Sequence, residues 1–473
     1  MAETDASTIS KKYTWLFVSL IIFAVSRFVP SPEGLESGGK QAIFLLVIAL
    51  ILLLSKCVDI GVAGVLLFVL QPIMGVVNLA ESLSIWSMTS TWFLVASFGL
   101  AGVIASTSWP RRILSFLIKI CGYKIENLLL GIMCGTAFLS MWMSDVPACA
   151  IPAGFSMVLI NAIENPDEKK KIARSFMIGI PMASYIGGMG TPAGSGANVI
   201  ALDMLNLHTN GQFTVTWIQW LAIGIPLVVI VTPLLWFILV KIFPLPRISD
   251  SVLHKFLDST KAEDKIDNRD LRFVFIMLAA IVLWILSSWI SILSTTLVAL
   301  CMLAVFVLAG VSDMKYILGS VPWTTMMLAM GFGSVANALN STRLVNWAVE
   351  KYLVMPAAIN IFILFIIIGI IIALAHIPLP GGPSLIRLLS GPIILAGLSA
   401  GVHPSAMTLL LCFSCSTCFL LPLDTVAIVT FGYGHYSFKD YVKPGILATI
   451  LMIVFIAIWL PIIMKPFGLL IAH

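Results

Sequence analysis

The chain has 473 residues, of which 60% are hydrophobic and 10% charged, with a mean hydropathy of +1.06 and a formal net charge of +5. Water-soluble chains carry about 25% charged residues, so a soluble globule is excluded and an all-α polytopic membrane protein is implied. No basic stripe interleaved with aromatics appears, and cationic residues in a membrane chain collect in cytoplasmic loops, so nucleic acid is not an expected partner.

In chain order, the polar start MAETDASTISKK runs into the apolar stretch 13–29 with no small-residue cleavage site after it, so residues 1–40 read as a tail and a first transmembrane helix. Further apolar segments at 41–55, 61–77, 92–108, 174–205, 217–243, 271–289, 292–311, 323–339, 407–434 and 445–464 bring the expected transmembrane helices to eleven. Placing Lys11 and Lys12 in the cytoplasm also puts Lys56, Arg111, Arg112, Lys119, Lys124, Lys169, Lys170, Lys171, Lys241, Lys315, Lys439 and Lys443 there. The alternate loops NLAESLSIWSMTS and LNLHTNGQF contain no Lys or Arg. A multi-pass protein of the plasma (cytoplasmic) membrane is expected, N-terminus inside and C-terminus outside. The polar stretch 244–272 is charge-balanced, with Asp250, Asp258, Glu263, Asp264, Asp267 and Asp270 against Arg247, Lys255, Lys261, Lys265, Arg269 and Arg272, and 244–270 reads as a cytoplasmic linker.

Two segments break in the middle. In LSMWMSDVPACAIPAG, 139–154, Asp145 separates apolar runs 128–143 and 147–160. At about 1.5 Å per residue these reach roughly 24 and 21 Å, short of a hydrocarbon core of about 30 Å. Lys124 and Lys169 flank the segment and both favour the cytoplasm, so a re-entrant hairpin over 127–163 is expected. A second, over 357–401, surrounds HIPLPGGPSLIR. The run CFSCSTC, 412–418, sits among apolar residues without a fourth ligand; the cysteines read as free buried thiols, and neither a metal site nor a cofactor is expected.

The halves resemble each other. Phe98-Gly99 matches Phe332-Gly333 and Thr191 matches Thr425, each pair 234 positions apart. Repeats 41–243 and 271–473 follow, each with three crossings, a broken hairpin and two crossings, so the second copy is inverted. Inverted repeats with interrupted helices point to a secondary transporter whose site lies at the midplane. Four interruptions can meet there: the tip at Ser144, Asp145 and Val146; the unwound helix 187–198, GGMGTPAGSGAN, with Gly188, Gly190, Thr191, Pro192 and Asn198; the tip at Gly382, Pro383 and Ser384; and the unwound stretch 422–426 with Asp424, Thr425 and Val426. Helix starts at such breaks present free N–H groups and suit an anion. Asp145 and Asp424 also suit plain N-caps, Arg387 a snorkelling residue and His376 a hydrogen-bonded core residue, but a carboxylate at bilayer depth costs on the order of 3 kcal/mol, more than a cap of about 1 kcal/mol offsets.

At IGGMGTPAGSGANVIAL and FGYGHYSFKDYVKPG the chain resembles the divalent anion/sodium symporter family of dicarboxylate and citrate transporters. The resemblance covers most of the chain and implies an elevator-type homodimer with scaffold and transport domains. It also implies that a dicarboxylate and sodium bind through a Ser-Asn-Thr motif at each hairpin tip. Here the first tip reads Ser144-Asp145-Val146, the second Gly381-Gly382-Pro383-Ser384, and the second Thr-Pro becomes Thr425-Val426. A dianion beside Asp145 and Asp424 needs compensation. Arg387 and His376 as fixed cations lead to the expectation of sodium-independent exchange of C4/C5 dicarboxylates (succinate, malate, fumarate, 2-oxoglutarate), with sodium- or proton-coupled dicarboxylate or citrate symport as the alternative. An intramembrane aspartyl protease would need Gly-x-Gly-Asp, which is absent, so no enzyme is expected.

Overall fold

A computed structural model describes residues 6–55, 57–122, 124–249, 253, 256, 266–352, 359–377 and 381–471. Lys56, the linker charges Asp250, Lys255, Asp258, Lys261, Glu263, Asp264 and Lys265, and Pro378, Leu379 and Pro380 before the second tip lie outside them.

Apart from one bridge between Val402 and Ile471, the described chain is helices and loops. The helices α1 (Ala6–Phe28), α2 (Ser37–Ser55), α3 (Ile60–Met74), α4 (Leu79–Leu83), α5 (Thr89–Ala105) and α6 (Trp109–Cys121) precede the pair α7 (Ile125–Ser140) and α8 (Asp145–Ala162). Then come α9 (Pro166–Gly188), α10 (Gly196–His208) and α11 (Trp217–Ile242). Beyond the linker a similar order runs through α12 (Asn268–Leu286), α13 (Thr295–Leu308), α14 (Met314–Gly319), α15 (Trp323–Ser341) and α16 (Leu344–Tyr352). The pair α17 (Ile361–Ala375) and α18 (Gly382–Ser399) follows, then α19 (Pro404–Cys415), α20 (Thr425–Phe431) and α21 (Phe438–Met464).

Local chemistry sets the boundaries. Asp59 accepts from the N–H of Gly61 at the start of α3, and Gly75, at φ 74°, closes that helix. Asn165 caps α9 with Pro166 in the first turn, while Thr216 and Gln219 form a capping box on α11, as Ser437 and Asp440 do on α21.

Several expectations change. Among the described residues, four helices are long and apolar enough to cross a bilayer: α8, α11, α18 and α21. A fifth is possible if α4 and α5, with the 3-10 turn between them, count as one span bent by 49°. The other apolar helices are shorter, so length alone does not give eleven crossings. Nor is the arm after Asp145 short: α8 has 18 residues, because it continues through Asn161 and Ala162, and at about 1.5 Å per residue it reaches roughly 27 Å. What marks the α7–α8 turn is its burial: Met141, Met143 and Ser144 are enclosed by protein. The helices α6 and α16 were not anticipated, because their polar residues broke the apolar runs. In α6, Leu114 and Ile118 point inward while Arg111 and Lys119 are exposed, as in a helix lying along a membrane interface. The second break is also wider and earlier than 422–426. It runs over 416–424, and Thr425 and Val426 open α20.

The largest apolar core joins α7–α11 to α17–α21. Smaller cores unite α5, α12 and α13, and α2, α3 and α15. The α3–α15 crossing is backbone to backbone: a methyl added to Gly331 would lie 2.6 Å from the carbonyl oxygen of Gly64. Glycines permit this contact as small residues do wherever membrane helices pack closely. Gly331→Ala should therefore cost about 1–3 kcal/mol through overpacking and lower the thermal midpoint in detergent. Gly319→Ala, where nothing lies within 4 Å, should leave that midpoint unchanged.

Candidate functional site

The breaks converge. A cavity of about 110 Å³ is walled by Ser144, Asp145 and Val146 from the first tip and by Ser195, Gly196 and Ala197 at the start of α10. Gly382 and Pro383 at the start of α18 and Asp424, Thr425 and Val426 from the second break complete its polar side. Leu94 and Phe98, four residues apart on α5, close it with an apolar wall.

Asp145 is the first residue of α8, and the preceding Ser144 makes no side-chain cap. Its carboxylate therefore does not cap the helix. Oδ1 lies 2.8 Å from Ser140 Oγ, Oδ2 accepts from Ser195 Oγ at 2.8 Å, and the main-chain oxygen accepts from Ser184 Oγ at 2.7 Å. Asp424 does cap: Oδ1 accepts from the Val426 N–H at 3.0 Å and from Tyr185 Oη at 2.8 Å. Tyr185 sits edge-on to Phe419 at 5.8 Å, and α9 thus holds the Asp145 main chain through Ser184 and the Asp424 carboxylate through Tyr185.

Other expected site residues build the frame behind the cavity. Asn198 Nδ2 donates to the carbonyls of Gly188 (2.7 Å) and Thr191 (2.8 Å), and its Oδ1 accepts from Cys412 Sγ. Thr191 Oγ1 donates to the carbonyl of Met141 and pins the tip to the break. Gly188 lets the Asp145 carboxylate lie against its Cα, and Gly190 packs against Met141. None of Gly188, Gly190, Thr191, Pro192 and Asn198 is on the cavity wall. Ser384 lines an adjoining cavity instead.

The two candidate cations stand apart from the site. His376 lines a separate small void beside Thr417 and Thr449. Arg387 is fully buried, 3.4 Å from Ser90 Oγ at the start of α5 and packed against Gly333. Neither faces the cavity, whose walls hold no Lys, Arg or His among the described residues, so the expected fixed cations do not sit opposite the aspartates. Cys415 and Cys418 are free buried thiols on its wall.

Sequence reasoning did not single out Ser140, Ser184, Ser195, Tyr185 or Leu94, and it used Phe98 only as a marker of the internal repeat. Ser195 lay inside the GSGAN motif, and Tyr185 is a lone phenol one turn before the glycine-rich break; on α5 the repeat marker Phe98 was the one signal, and Leu94 gave none.

An all-helical polytopic fold with interrupted helices meeting at a cavity that holds two carboxylates defines a membrane protein of the transporter class. The chain belongs to the family described as the sodium:sulfate symporter transmembrane region, whose sequence model matches residues 10–471. The sodium-dependent dicarboxylate transporter SdcS of Staphylococcus saprophyticus is 24% identical, the match covering 95% of this chain and 91% of that protein. The low-affinity phosphate transporter PHO90 of Saccharomyces cerevisiae is 28% identical over 49% of this chain and 25% of its own. Among solved structures, the YdaH transporter of Alcanivorax borkumensis is similar with a TM-score of 0.53 at 13% identity, over 92% of this chain and 99% of that one, a likeness of fold.

Gly188→Ala would place a methyl where Asp145 Oδ1 now lies, so the carboxylate must swing away from Ser140. Transport by this variant, at matched membrane abundance, should fall by about tenfold or more, the equivalent of one lost charge-assisted hydrogen bond. Gly154→Ala, with open space around it, should transport normally.

Proposed function

We propose that the protein is a secondary active transporter that carries C4/C5 dicarboxylates such as succinate, malate, fumarate or 2-oxoglutarate across the plasma membrane. The observation that carries this reading is the meeting of interrupted helices from both halves of the chain at one cavity. The family description, sodium:sulfate symporter, and the dicarboxylate named for SdcS support an anionic substrate. The proposal includes two inverted repeats, 41–243 and 271–473, joined by the 244–270 linker. It further includes eleven crossings with two re-entrant hairpins, a cytoplasmic N-terminus, and a homodimer whose scaffold holds each transport domain as it moves like an elevator.

Charge decides the coupling. Asp145 and Asp424 share a cavity with no cationic side chain on its described walls, so a dianion entering it meets like charges at low dielectric. A mobile cation, sodium or a proton, is the natural compensation, and cation-coupled symport becomes the leading reading once Arg387 and His376 are set aside. One observation favours sodium-independent exchange: both oxygens of Asp145 already take hydroxyl donors from Ser140 and Ser195, where the family resemblance puts an amide.

Proteoliposomes separate these readings. Uptake of labelled succinate should require an inward sodium or proton gradient, and Asp145→Asn should cut it by about tenfold or more, since removing one charge alters the pairing of a partly desolvated site. Counterflow against internal dicarboxylate that proceeds equally without sodium and without a pH gradient would establish exchange instead. Absence of both uptake and counterflow for every dicarboxylate tested would overturn the proposal.

A further inference from the structure

The polar cavity opens onto a second one. Leu94, Phe98, Pro383, Asp424 and Thr425 wall both the 110 Å³ cavity and a neighbour of about 150 Å³ that extends between α2, α15 and the start of α18. Its remaining walls are mainly apolar: Leu53 from α2, and Met326, Leu328, Ala329 and Phe332 from α15, with Thr325 and Ser384 supplying hydroxyls at its edge. Apart from Asp424 on the shared wall, none of these residues is charged. A water placed against the α15 face finds few partners, and a volume of roughly 150 Å³ is about the size that admits a benzene ring. A bare C4 dicarboxylate satisfies only the polar half of this double chamber.

We propose that the preferred ligand is an amphiphilic dicarboxylate, with its carboxylates in the polar cavity and an aryl or branched-alkyl substituent lodged in the apolar annex between Leu53, Ala329 and Phe332. This rests on the reading of the polar cavity as a dicarboxylate site and names the class of substituent that the site selects. The junction supports it: Leu94 and Phe98 pass from one chamber to the other along a single face of α5, so a ligand bridging the two slides along a continuous apolar rail while its charged end stays at the helix breaks.

The test uses purified full-length protein in proteoliposomes, with labelled succinate competed by unlabelled succinate, 2-phenylsuccinate or 2-benzylsuccinate. Burial of a ring should make the aryl compounds at least about tenfold better competitors than succinate. Ala329→Phe fills the annex from α15 and should bring that ratio down to about one; Leu53→Trp, from the opposite wall, serves where the first variant does not reach the membrane. A wild-type ratio of one or less overturns the inference, as does a tenfold ratio that survives both substitutions. If no dicarboxylate moves at all, the transport reading falls and this one with it. Succinate uptake with no aryl preference removes only the annex.

Discussion

Everything at the centre of this molecule follows from the cost of an unpaired backbone group at bilayer depth. Hydrocarbon offers no hydrogen bonds, so a helix can stop inside the membrane only where protein groups take up its free ends. The first break meets this with side chains and close backbone contact. Asn198 takes the carbonyls of Gly188 and Thr191, Trp220 Nε1 takes that of Met189 at 2.9 Å, and Thr191 takes that of Met141 across the turn. The glycines of this region give room for those contacts. Gly224 on α11 passes directly over the carbonyls of Met189 and Gly190, and Gly445 on α21 lies against that of Phe419 at the second break, so the second helix after each break roofs it. The frame is demanding, and the ligand cavity is what remains in front of it.

That frame also explains why two aspartates in one cavity are not equivalent. Asp424 spends one oxygen on its own helix start and on Tyr185, a bond that orients it whatever its charge. Asp145 makes no cap and takes hydroxyls on both oxygens from α7 and from the α10 start, so its charge is compensated by dipoles that belong to two different elements. Any change in how the first tip sits against the break is felt at Asp145 first. Hydroxyl donors carry no net charge, so a dianion of the proposed kind entering the cavity would still require a mobile cation or an exchange partner.

How much of this was readable in the chain depended on whether the signal was compositional or three-dimensional. The first two breaks, expected at 144–146 and 187–198 and found unwound at 141–144 and 189–195, were legible because a carboxylate, prolines and clustered glycines interrupt otherwise apolar runs, and such interruptions have few other meanings in a membrane. The second break was misplaced toward 422–426 because its unwound residues, 416–424, include Phe419, Leu420 and Leu421, which look like helix. Arg387 and His376 illustrate the converse limit. Both are polar and intramembrane, and sequence distance from the tip suggested the cavity, but helical phase turns Arg387 toward α5 and α15, and His376 falls behind the loop that follows α19. The serines were silent because Ser in a membrane helix more often bonds its own preceding turn, as Ser156 does with Pro152.

The arrangement of polar and apolar contacts also bears on how such a site would reach water. The elements around the carboxylates are tied to each other by hydrogen bonds, from Ser184 to the first tip, from Tyr185 to Asp424, and from Cys412 to Asn198. At the cavity, α5 touches them only through Leu94 and Phe98, with Leu94 seated where a side chain on Gly196 would otherwise be. Apolar contacts of this kind are non-directional and tolerate sliding, whereas the hydrogen-bonded set must move together or lose several bonds at once. The exception is the first turn of α5, where Asp203 accepts from Thr89 Oγ1 at 3.1 Å and from the Ser90 N–H at 3.0 Å, beside Arg387. In the proposed elevator movement, a unit sliding along α5 would meet its polar resistance, among the described residues, at the start of that helix and not at the cavity wall.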